Sequence, residues 1–392
     1  MEKRVLVPNT DLSVYPIGLG TVDAGLRWDG ADADKIFDTY VGCGGNIIDC
    51  AHVYSDWVPG EIARAERVLG DWLQRSGKRN EIVLITKGGH PDMTGENPDT
   101  HISRMTHDDM VSDLNASLKQ LRTDVIDIYF YHRDNRNQSV EEEIETMEGF
   151  VREGKIRYYG CSNWDVDRMK AADAYCREKG YRSFVADQSL LNLGMKYFNG
   201  LADDTLRYTQ GEAFQYHVDN PNNLMMPYMG NCSGFFHIFA AGGEEAVKNN
   251  PYYTPGNVRV AEKMKELCSK YGCTVTQVVL GFFYHQPFTC VPLYGPAIPE
   301  HIVDACGTLD VPFTDADYEW LLASFDRTGI NIGRSNIIRG TALTFVNAMP
   351  RISCIMVSGR KRSKDQRERY HLHIAQFYRE VLGVTDESIL EL

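Results

Sequence analysis

Short apolar runs alternate with helical patterns along most of this chain. Runs such as residues 82–87 and 125–131 are rich in Ile, Val and aromatic residues and have the length of buried strands. Between such runs, as in residues 32–41 and 140–153, apolar side chains recur at three- and four-residue spacing, which predicts amphipathic helices. Strands that alternate with helices in this way are typical of α/β proteins with a parallel sheet.

The number of strand–helix units favours a barrel over an open sheet. Eight units fill the chain from Val14 to about Gly295, and a parallel (β/α)8 TIM barrel takes roughly 250 residues. A doubly wound sheet would place a Gly-x-Gly-x-x-Gly turn after its first strand, and Gly18, Gly20 and Gly25 do not have that spacing. The eight strands are predicted at residues 15–20, 46–49, 82–87, 125–131, 156–160, 183–188, 224–228 and 289–293.

A long polar segment follows the sixth predicted strand. About thirty residues separate Asn192 from the seventh strand, and several of them are aromatic. Long connections in compact domains are commonly lids or binding loops, although a plain surface excursion fits the length too. We expect this loop to take part in binding.

The C-terminal part of the chain differs in character from the rest. From Arg327 onward, eleven Lys and Arg against six Asp and Glu give a net charge of +5, which leaves −18 for the remainder. Apolar residues such as Phe345 and Ile352 recur in this tail and are costly to leave in water. We therefore predict a barrel over residues 1–327 and an extension over residues 328–392 that packs on the barrel or on a partner subunit.

Composition and charge exclude several classes of protein. The hydrophobic fraction is 43% and the charged fraction 24%, as in ordinary globular proteins, and no run approaches the roughly 20 apolar residues of a membrane helix. The N-terminus lacks the apolar segment of a signal peptide. A net charge of −13 argues against nucleic acid as a partner. We expect a cytoplasmic protein with no membrane, nucleic-acid or metal ligand, and we leave a homo-oligomer open.

Polar residues stand just past successive predicted strands. Asp49 follows the second strand, with Tyr54 five residues later, and Lys87 and His132 end the third and fourth strands. The carboxyl ends of barrel strands meet at one mouth, where the catalytic residues of such folds lie. An acid, a phenol, an amine and an imidazole brought together there predict a proton-transfer site. Later strands end in Ser162, Asn163, Gln188 and Tyr228.

The chemistry of the first four residues can be argued from their acid–base properties. Hydride addition to a carbonyl creates an alkoxide that needs a proton, and Tyr54 is a suitable donor whose free pKa is about 10. A nearby ammonium at Lys87 would lower that pKa by favouring the phenolate. Asp49 would hold the charge of a buried Lys87. A neutral His132 can donate a hydrogen bond to the carbonyl oxygen.

Structural roles are open for several of these residues. Asp49 and Lys87 can form a plain buried ion pair, Asn163 can cap the helix that follows it, and Tyr228 can be a core residue. The residues Trp28, Trp57, Arg133 and Trp164 lie on the same loops and are predicted to be walls of a substrate pocket or plugs of the barrel mouth. The histidines His52, His90, His101 and His285 are predicted to be structural or at the surface.

Six polar strand ends in this order resemble the aldo-keto reductase superfamily, and residues 86–91 and 227–236 resemble its bacterial branch. The resemblance implies that Tyr54 is the general acid and base, that Lys87 and Asp49 tune it, and that His132 orients the substrate carbonyl. It implies that Ser162, Asn163 and Gln188 hold the nicotinamide carboxamide and that Tyr228 stacks on its ring. By the same resemblance, the cofactor-binding set is Asp49, Ser162, Asn163, Gln188, Tyr228, Gly230, Gly295 and Glu300.

The stretch after the eighth strand departs from the family pattern. Ala297 and His301 stand where the family usually has Lys or Arg to bind the 2′-phosphate of NADPH, and Glu300 and Asp304 add negative charge there. A partly desolvated phosphate needs a cationic partner. We therefore expect NAD(H) in preference to NADP(H).

The sequence thus predicts an NAD(P)(H)-dependent oxidoreductase that interconverts a carbonyl and an alcohol. Its substrate is expected to be a sugar-like or other polyhydroxy small molecule, because the predicted pocket is polar and aromatic. Two alternatives remain at this point. One is an enzyme with tightly bound NAD that oxidises a sugar derivative transiently during elimination or epimerisation, and the other is a cofactor-binding regulatory protein.

Overall fold

The computed structural model describes residues 4–323, in which eight parallel strands form the centre. A short antiparallel hairpin of β1 (Val5–Leu6) and β2 (Ser13–Val14) comes before them. Each of the first six central strands pairs with its successor in the chain, and the first also pairs with the last; the seventh and eighth strands are the two ends of this order. The central strands are β3 (Gly18–Gly20), β4 (Ile47–Asp49), β5 (Val83–Gly88), β6 (Ile126–Tyr131), β7 (Ile156–Ser162), β8 (Ala186–Gln188), β9 (Leu224–Met225) and β10 (Leu293–Tyr294).

Backbone hydrogen bonds also join the seventh and eighth strand segments. The amide of Val291 donates to the carbonyl of Met225 at 2.9 Å, and the amide of Leu293 donates to the carbonyl of Pro227 at 2.9 Å. Since β10 also pairs with β3, the sheet has hydrogen-bonded neighbours all the way round. The predicted (β/α)8 barrel is confirmed.

The helices agree closely with the predicted pattern in the first half of the barrel. α5 occupies the predicted residues, and α3 begins at a capping box in which Thr106 accepts from the Asp109 amide and Asp109 accepts from the Thr106 amide. The helices are α1 (Gly30–Gly42), α2 (Arg64–Ser76), α3 (His107–Leu121), α4 (Val140–Arg152), α5 (Val166–Lys179), α6 (Glu212–Asp219), α7 (Phe235–Gly242), α8 (Pro255–Tyr271), α9 (Val275–Gly281), α10 (Pro299–Cys306) and α11 (Asp315–Leu322).

Four elements were not predicted from the sequence: the β1–β2 hairpin and helices α6, α7 and α11. The hairpin strands have only two residues each, too few to show a period. Its apolar side chains Val7, Leu12 and Val14 belong to the same buried cluster as the inward residues of the barrel strands. The hairpin is therefore held by tertiary packing, which a local pattern does not reveal.

Alternate residues of the strands fill the barrel interior. Ile47, Ile85, Phe130 and Ala186 belong to this inner cluster, whereas a second cluster fills the space between the sheet and the helices. Successive strand side chains point to opposite faces, so the residue two positions after an inward residue also faces the barrel axis. This alternation brings polar residues at the strand ends to the barrel axis, where the site described below lies.

The predicted boundary at residue 327 and the extension over residues 328–392 lie outside the described residues. In the part of the chain that the structure describes, no helix has the length and apolar character needed to cross a membrane. Within the same residues, no group of three His, Cys, Asp or Glu side chains is placed to hold a metal ion.

Candidate active site

A cavity of about 420 Å³, here called the central cavity, lies at the carboxyl ends of the barrel strands. Four of its side chains come two residues after an inward strand residue: Asp49 after Ile47, Lys87 after Ile85, His132 after Phe130 and Gln188 after Ala186. The central cavity brings together eleven of the predicted site residues. They are Asp49, Tyr54, Lys87, His132, Arg133, Ser162, Asn163, Gln188, Tyr228, Gly230 and Gly295.

The ammonium of Lys87 is the centre of a buried hydrogen-bond network. Its Nζ donates to Asp49 Oδ2 at 2.7 Å, to the Cys50 carbonyl at 2.9 Å and to the Tyr54 hydroxyl at 3.0 Å. The other oxygen of Asp49 accepts from Gln188 Nε2 at 2.8 Å. Every proton of the ammonium thus has an acceptor, which is the condition for keeping a charge in a buried site.

Backbone pairing beyond the ends of β4 and β5 sets this geometry. The Cys50 amide donates to the carbonyl of Ile85, and the His52 amide donates to the carbonyl of Lys87 at 3.0 Å. A turn closed by the Tyr54 amide and the Ala51 carbonyl, 3.2 Å apart, then directs the tyrosine back toward the barrel axis. The five-residue spacing from Asp49 to Tyr54 is the length of this extension and turn.

The acid–base balance of Tyr54 differs from the prediction. Burial raises the pKa of Tyr54 to about 12, and the ammonium of Lys87 opposes that rise without cancelling it. The predicted lowering of this pKa is therefore corrected: Lys87 acts in the predicted direction, but desolvation of the phenolate outweighs it. At Lys87 itself, burial favours the neutral amine, yet the carboxylate of Asp49 and the hydroxyl of Tyr54 outweigh burial and raise the lysine pKa. Tyr54 is a phenol and Lys87 an ammonium near neutral pH.

His132 faces Tyr54 across the cavity as an uncharged ring. The two ring centres are 5.9 Å apart. Burial holds the pKa of His132 well below its ordinary value, and the neighbouring His90, Lys87 and Arg133 lower it further. The His132 Nδ1 atom is buried without a hydrogen-bond partner. The imidazole is therefore neutral, and it has one hydrogen-bond donor to offer to a ligand in the cavity.

His90, which was predicted to be structural or at the surface, is a buried neighbour of His132. Its ring centre lies 4.7 Å from that of His132, its ring nitrogen Nδ1 lies 2.9 Å from the Pro91 carbonyl, and it is 8% exposed. Burial, helped by the charge of Arg133, lowers its pKa to about 3. The sequence did hold an indication of this location, because His90 lies three residues after Lys87 and just beyond the end of β5.

The burial of His90 predicts a pH-dependent stability difference. A histidine with a folded pKa near 3 and an unfolded pKa near 6.5 favours the unfolded state as the pH falls below 6.5. The His90→Asn variant lacks this group. The free energy of unfolding of the variant minus that of the unmodified protein should therefore be about 2 kcal/mol larger at pH 5 than at pH 7. Urea unfolding of both proteins at the two pH values measures the difference. An equal difference at both pH values would contradict the buried, neutral state of His90.

Ser162, Asn163 and Tyr228 form a second polar group in the cavity. The Ser162 hydroxyl donates to the Gln188 carbonyl at 2.8 Å and accepts from Asn163 Nδ2 at 3.0 Å. The Tyr228 hydroxyl donates to Asn163 Oδ1 at 2.6 Å. Asn163 has a left-handed backbone with φ of 61°, and the helix cap after it is Asp165. The alternative in which Asn163 caps that helix is therefore not what the structure has.

The remaining predicted residues lie in different surroundings. Trp28 is buried and donates from its indole to the Pro296 carbonyl at 3.1 Å. Trp164 is buried and donates to the Arg133 carbonyl at 3.0 Å. Trp57 is 43% exposed, and Glu300 is exposed in the first turn of α10. The structure does not bring these four residues into the lining of the central cavity.

The long connection between β8 and β9 forms part of the cavity wall. The Leu190 amide donates to the Arg207 carbonyl at 2.9 Å, which ties the connection to the end of β8. Its helix α6 is fixed by His217, whose Nε2 lies 3.0 Å from Asp187 Oδ2 in a buried pair. Leu206 then lines the central cavity. The connection also borders a second, adjoining space of about 310 Å³, here called the side cavity.

Residues of the first loop were also missed. Thr21, Asp23 and Arg27 line the central cavity, and they follow β3 rather than a strand with a polar end. Gly20, Gly230 and Gly295 also line the central cavity, so that only backbone faces it at these positions. The space beside Gly295 is open, because a Cβ there would meet nothing within 4 Å. This open backbone, with the amide and hydroxyl groups of Asn163, Gln188 and Ser162, fits a bound nicotinamide nucleotide.

Comparison with known proteins agrees with this geometry. A family model described as "Aldo/keto reductase family" matches residues 16–323. Norsolorinic acid reductase B of Dothistroma septosporum is 26% identical over 339 residues, which are 83% of this chain and 82% of the relative. An oxidoreductase of Bacillus subtilis named YrpG, described as uncharacterized, is 25% identical over 77% of this chain and 89% of its own length.

A third relative is more similar over a shorter region. The aryl-alcohol dehydrogenase (NADP(+)) of Phanerodontia chrysosporium is 30% identical over 206 residues, which are 49% of this chain and 52% of the relative. By their names, this relative is a dehydrogenase of aryl alcohols that uses NADP(+), and the relative from Dothistroma septosporum is a reductase of norsolorinic acid.

Proposed function

Because this chain belongs to the aldo/keto reductase family and is an NAD(P)-dependent oxidoreductase, we propose that it reduces a carbonyl to an alcohol with Tyr54 as general acid. The observation that carries this proposal is the position of Lys87 Nζ, 2.7 Å from Asp49 and 3.0 Å from the Tyr54 hydroxyl. In the reverse direction, the Tyr54 phenolate is the general base that takes the alcohol proton.

The proton transfer follows from the hydrogen bonds of Tyr54. Ser162, Asn163 and Gln188 would hold a nicotinamide, which would supply or accept the hydride. As negative charge grows on the substrate oxygen, the Tyr54 hydroxyl gives it a proton, and the resulting phenolate is stabilised by the ammonium of Lys87. His132 donates a hydrogen bond to the same oxygen and holds the carbonyl toward Tyr54. A phenol that stays protonated near neutral pH suits the reduction direction.

The cofactor would be held by side chains that are already in contact with one another. Ser162, Asn163 and Gln188 offer amide and hydroxyl groups for the nicotinamide carboxamide, and the hydrogen bond from Tyr228 to Asn163 fixes the aromatic ring beside them. The backbone of Gly230 and Gly295 leaves room for the rest of the nucleotide. Because these side chains are held by one another, they would offer fixed hydrogen-bonding groups to a nicotinamide carboxamide.

The side cavity supports a hydrophilic substrate. It opens next to the central cavity and shares Arg133 and Asn163 with it. Its other lining residues are mostly polar or charged, among them Ser103, Asn135 and Asn137. Hydroxyl groups of a substrate would find hydrogen-bond partners there, whereas a large aromatic ring would desolvate these side chains without compensation. We therefore propose a polyhydroxy, sugar-like substrate.

We expect NADH to be preferred to NADPH by at least about tenfold in kcat/KM. A 2′-phosphate requires a charge-assisted partner, but in the predicted position His301 Nδ1 already accepts from the Ala297 amide at 3.3 Å. Glu300 lies in the first turn of the same helix and would repel the phosphate. Initial rates with both reduced nucleotides at low salt test this. Glu300→Arg is the matched variant and should move the ratio toward NADPH, whereas a preference for NADPH in the unmodified protein would refute the proposal.

The experiment that tests the whole proposal starts from the purified chain. The nucleotide that copurifies is identified by mass spectrometry, and sugars and aldehydes are then screened for a change in absorbance at the reduced nicotinamide band. Oxidation of the nucleotide in proportion to alcohol formed supports a reductase. A chain that binds the nucleotide but turns over no carbonyl would fit a regulatory protein, and net elimination or epimerisation without nucleotide turnover would fit transient oxidation.

A further inference from the structure

Arg133 occupies the junction of the central and side cavities and is nearly buried. It lines both cavities, and 13% of its side-chain surface remains exposed. It directly follows His132, so its guanidinium extends from the same strand end that positions the imidazole. A positive charge in such a place is costly unless a carboxylate or other anion lies against it.

The described residues do not supply a matched anion for Arg133. One guanidinium nitrogen, Nη1, donates to the His132 carbonyl at 3.0 Å. The Nε atom is buried without a hydrogen-bond partner. The nearest carboxylate, Asp203, is 3.7 Å from Nη2, beyond hydrogen-bond distance. That contact is to Oδ2 of Asp203, while the Thr205 amide and hydroxyl donate to the other oxygen, Oδ1, at 2.9 and 2.5 Å and hold the carboxylate at this distance.

Neighbouring arginines of the side cavity are paired more closely. Arg136 donates to Asp165 at 2.6 Å and to Asp167 at 2.7 Å, and Arg207 donates to Asp165 at 2.5 Å. These contacts are charge-assisted hydrogen bonds of ordinary length. Within one cavity, Arg136 and Arg207 therefore have close carboxylate partners, whereas Arg133, which lines both cavities, has only the 3.7 Å contact to Asp203.

We propose that Arg133 binds a carboxylate of the substrate, so that the enzyme acts on carbonyl compounds that also carry a carboxylate group. This inference rests on the proposed function and restricts the proposed substrates to those that carry a carboxylate. The planar guanidinium can donate two parallel hydrogen bonds to the two oxygens of a carboxylate. Such a contact would fix the substrate at a second point and hold its carbonyl between Tyr54 and His132.

A carboxylate fits this position better than a phosphate. A phosphate monoester carries about two negative charges near neutral pH, and Arg133 is one cation. The other arginines of the side cavity are already paired with carboxylates, and Asp204 in its lining and Asp203 beside Arg133 would repel the second charge. A carboxylate has one charge and the flat, two-oxygen geometry that one arginine matches.

Matched pairs of substrates test the proposal. With saturating NADH, kcat/KM is measured for 4-oxobutanoate against butanal, for glucuronate against glucose, and for glyceraldehyde 3-phosphate against glyceraldehyde. The two carboxylates should be preferred over their neutral partners by at least about tenfold, since a hydrogen-bonded charge contributes about that much. Arg133→Met should reduce the ratio of kcat/KM within each carboxylate pair to less than about twofold, whatever the absolute rates of the variant. Equal rates within the carboxylate pairs, or a preference for the phosphate alone, would overturn the proposal.

A binding measurement separates this inference from the proposed function. Calorimetric titration of the chain saturated with NAD⁺ compares butyrate with butyramide, neither of which is a carbonyl substrate. At least tenfold tighter binding of butyrate that disappears in Arg133→Met supports the carboxylate site even if no carbonyl is turned over. Arg152→Met removes an exposed charge from α4 and should keep the preference. If Arg133→Met does not fold, Arg133→Lys takes its place and should weaken butyrate at least threefold; equal binding of both probes to the unmodified chain overturns the proposal.

Discussion

Replacement of Tyr54 by phenylalanine should lower turnover by about three orders of magnitude and leave cofactor affinity within twofold. General acid catalysis by a positioned side chain contributes roughly 10²–10⁴ in rate, and the lost hydroxyl is the proton donor of the proposed step. The interaction matters in the transition state and not in cofactor binding. Lys87 keeps Asp49 and the Cys50 carbonyl as acceptors, so the fold should lose only about 1 kcal/mol. Steady-state kinetics, a fluorescence titration with the nucleotide and urea unfolding measure the three quantities.

The matched control is Tyr131→Phe. Tyr131 lies at the end of β6, is fully buried, and donates its hydroxyl to the Glu143 carbonyl at 2.9 Å. The same atom is removed in both variants, and Tyr131 is not part of the central cavity. Tyr131→Phe should keep most of its turnover. Retention of more than a tenth of the turnover in Tyr54→Phe would assign the proton transfer to another group.

Replacement of Lys87 by methionine should damage both turnover and stability. Turnover should fall by at least about two orders of magnitude, because the phenolate formed at Tyr54 loses the ammonium 3.0 Å away. The free energy of unfolding should fall by about 3–5 kcal/mol, because the carboxylate of Asp49 is left buried without its charged partner. Chemical denaturation and steady-state kinetics on the same preparation check the two effects.

A double variant separates the two effects of Lys87. In Lys87→Met with Asp49→Asn, the buried negative charge is removed together with its partner, and the amide can still meet Gln188. Most of the lost stability should return, while turnover should stay low because the ammonium beside Tyr54 is still missing. If stability returned together with activity, Lys87 would be a structural residue only, as in the plain ion-pair alternative.

The pattern of the chain was sufficient to predict much of this site. Because strand side chains alternate, polar residues that continue the inward parity of Ile47, Ile85 and Phe130 must reach the barrel axis at its carboxyl end. Asp49, Lys87 and His132 could therefore be placed together from sequence. Leu206 and Arg27 could not, because they lie on loops whose paths have no period.

The barrel and the groups at its mouth could be predicted from the order of residues, since strand periodicity and the alternation of strand side chains are local properties of the chain. How those groups titrate, and which of them are paired, depends on contacts between residues that are far apart in the chain. The pKa of Tyr54 rises to about 12 because the enclosing walls desolvate it, and no local pattern gives the degree of burial. The partly unpaired state of Arg133 likewise depends on where Asp203, seventy residues later, is held by Thr205.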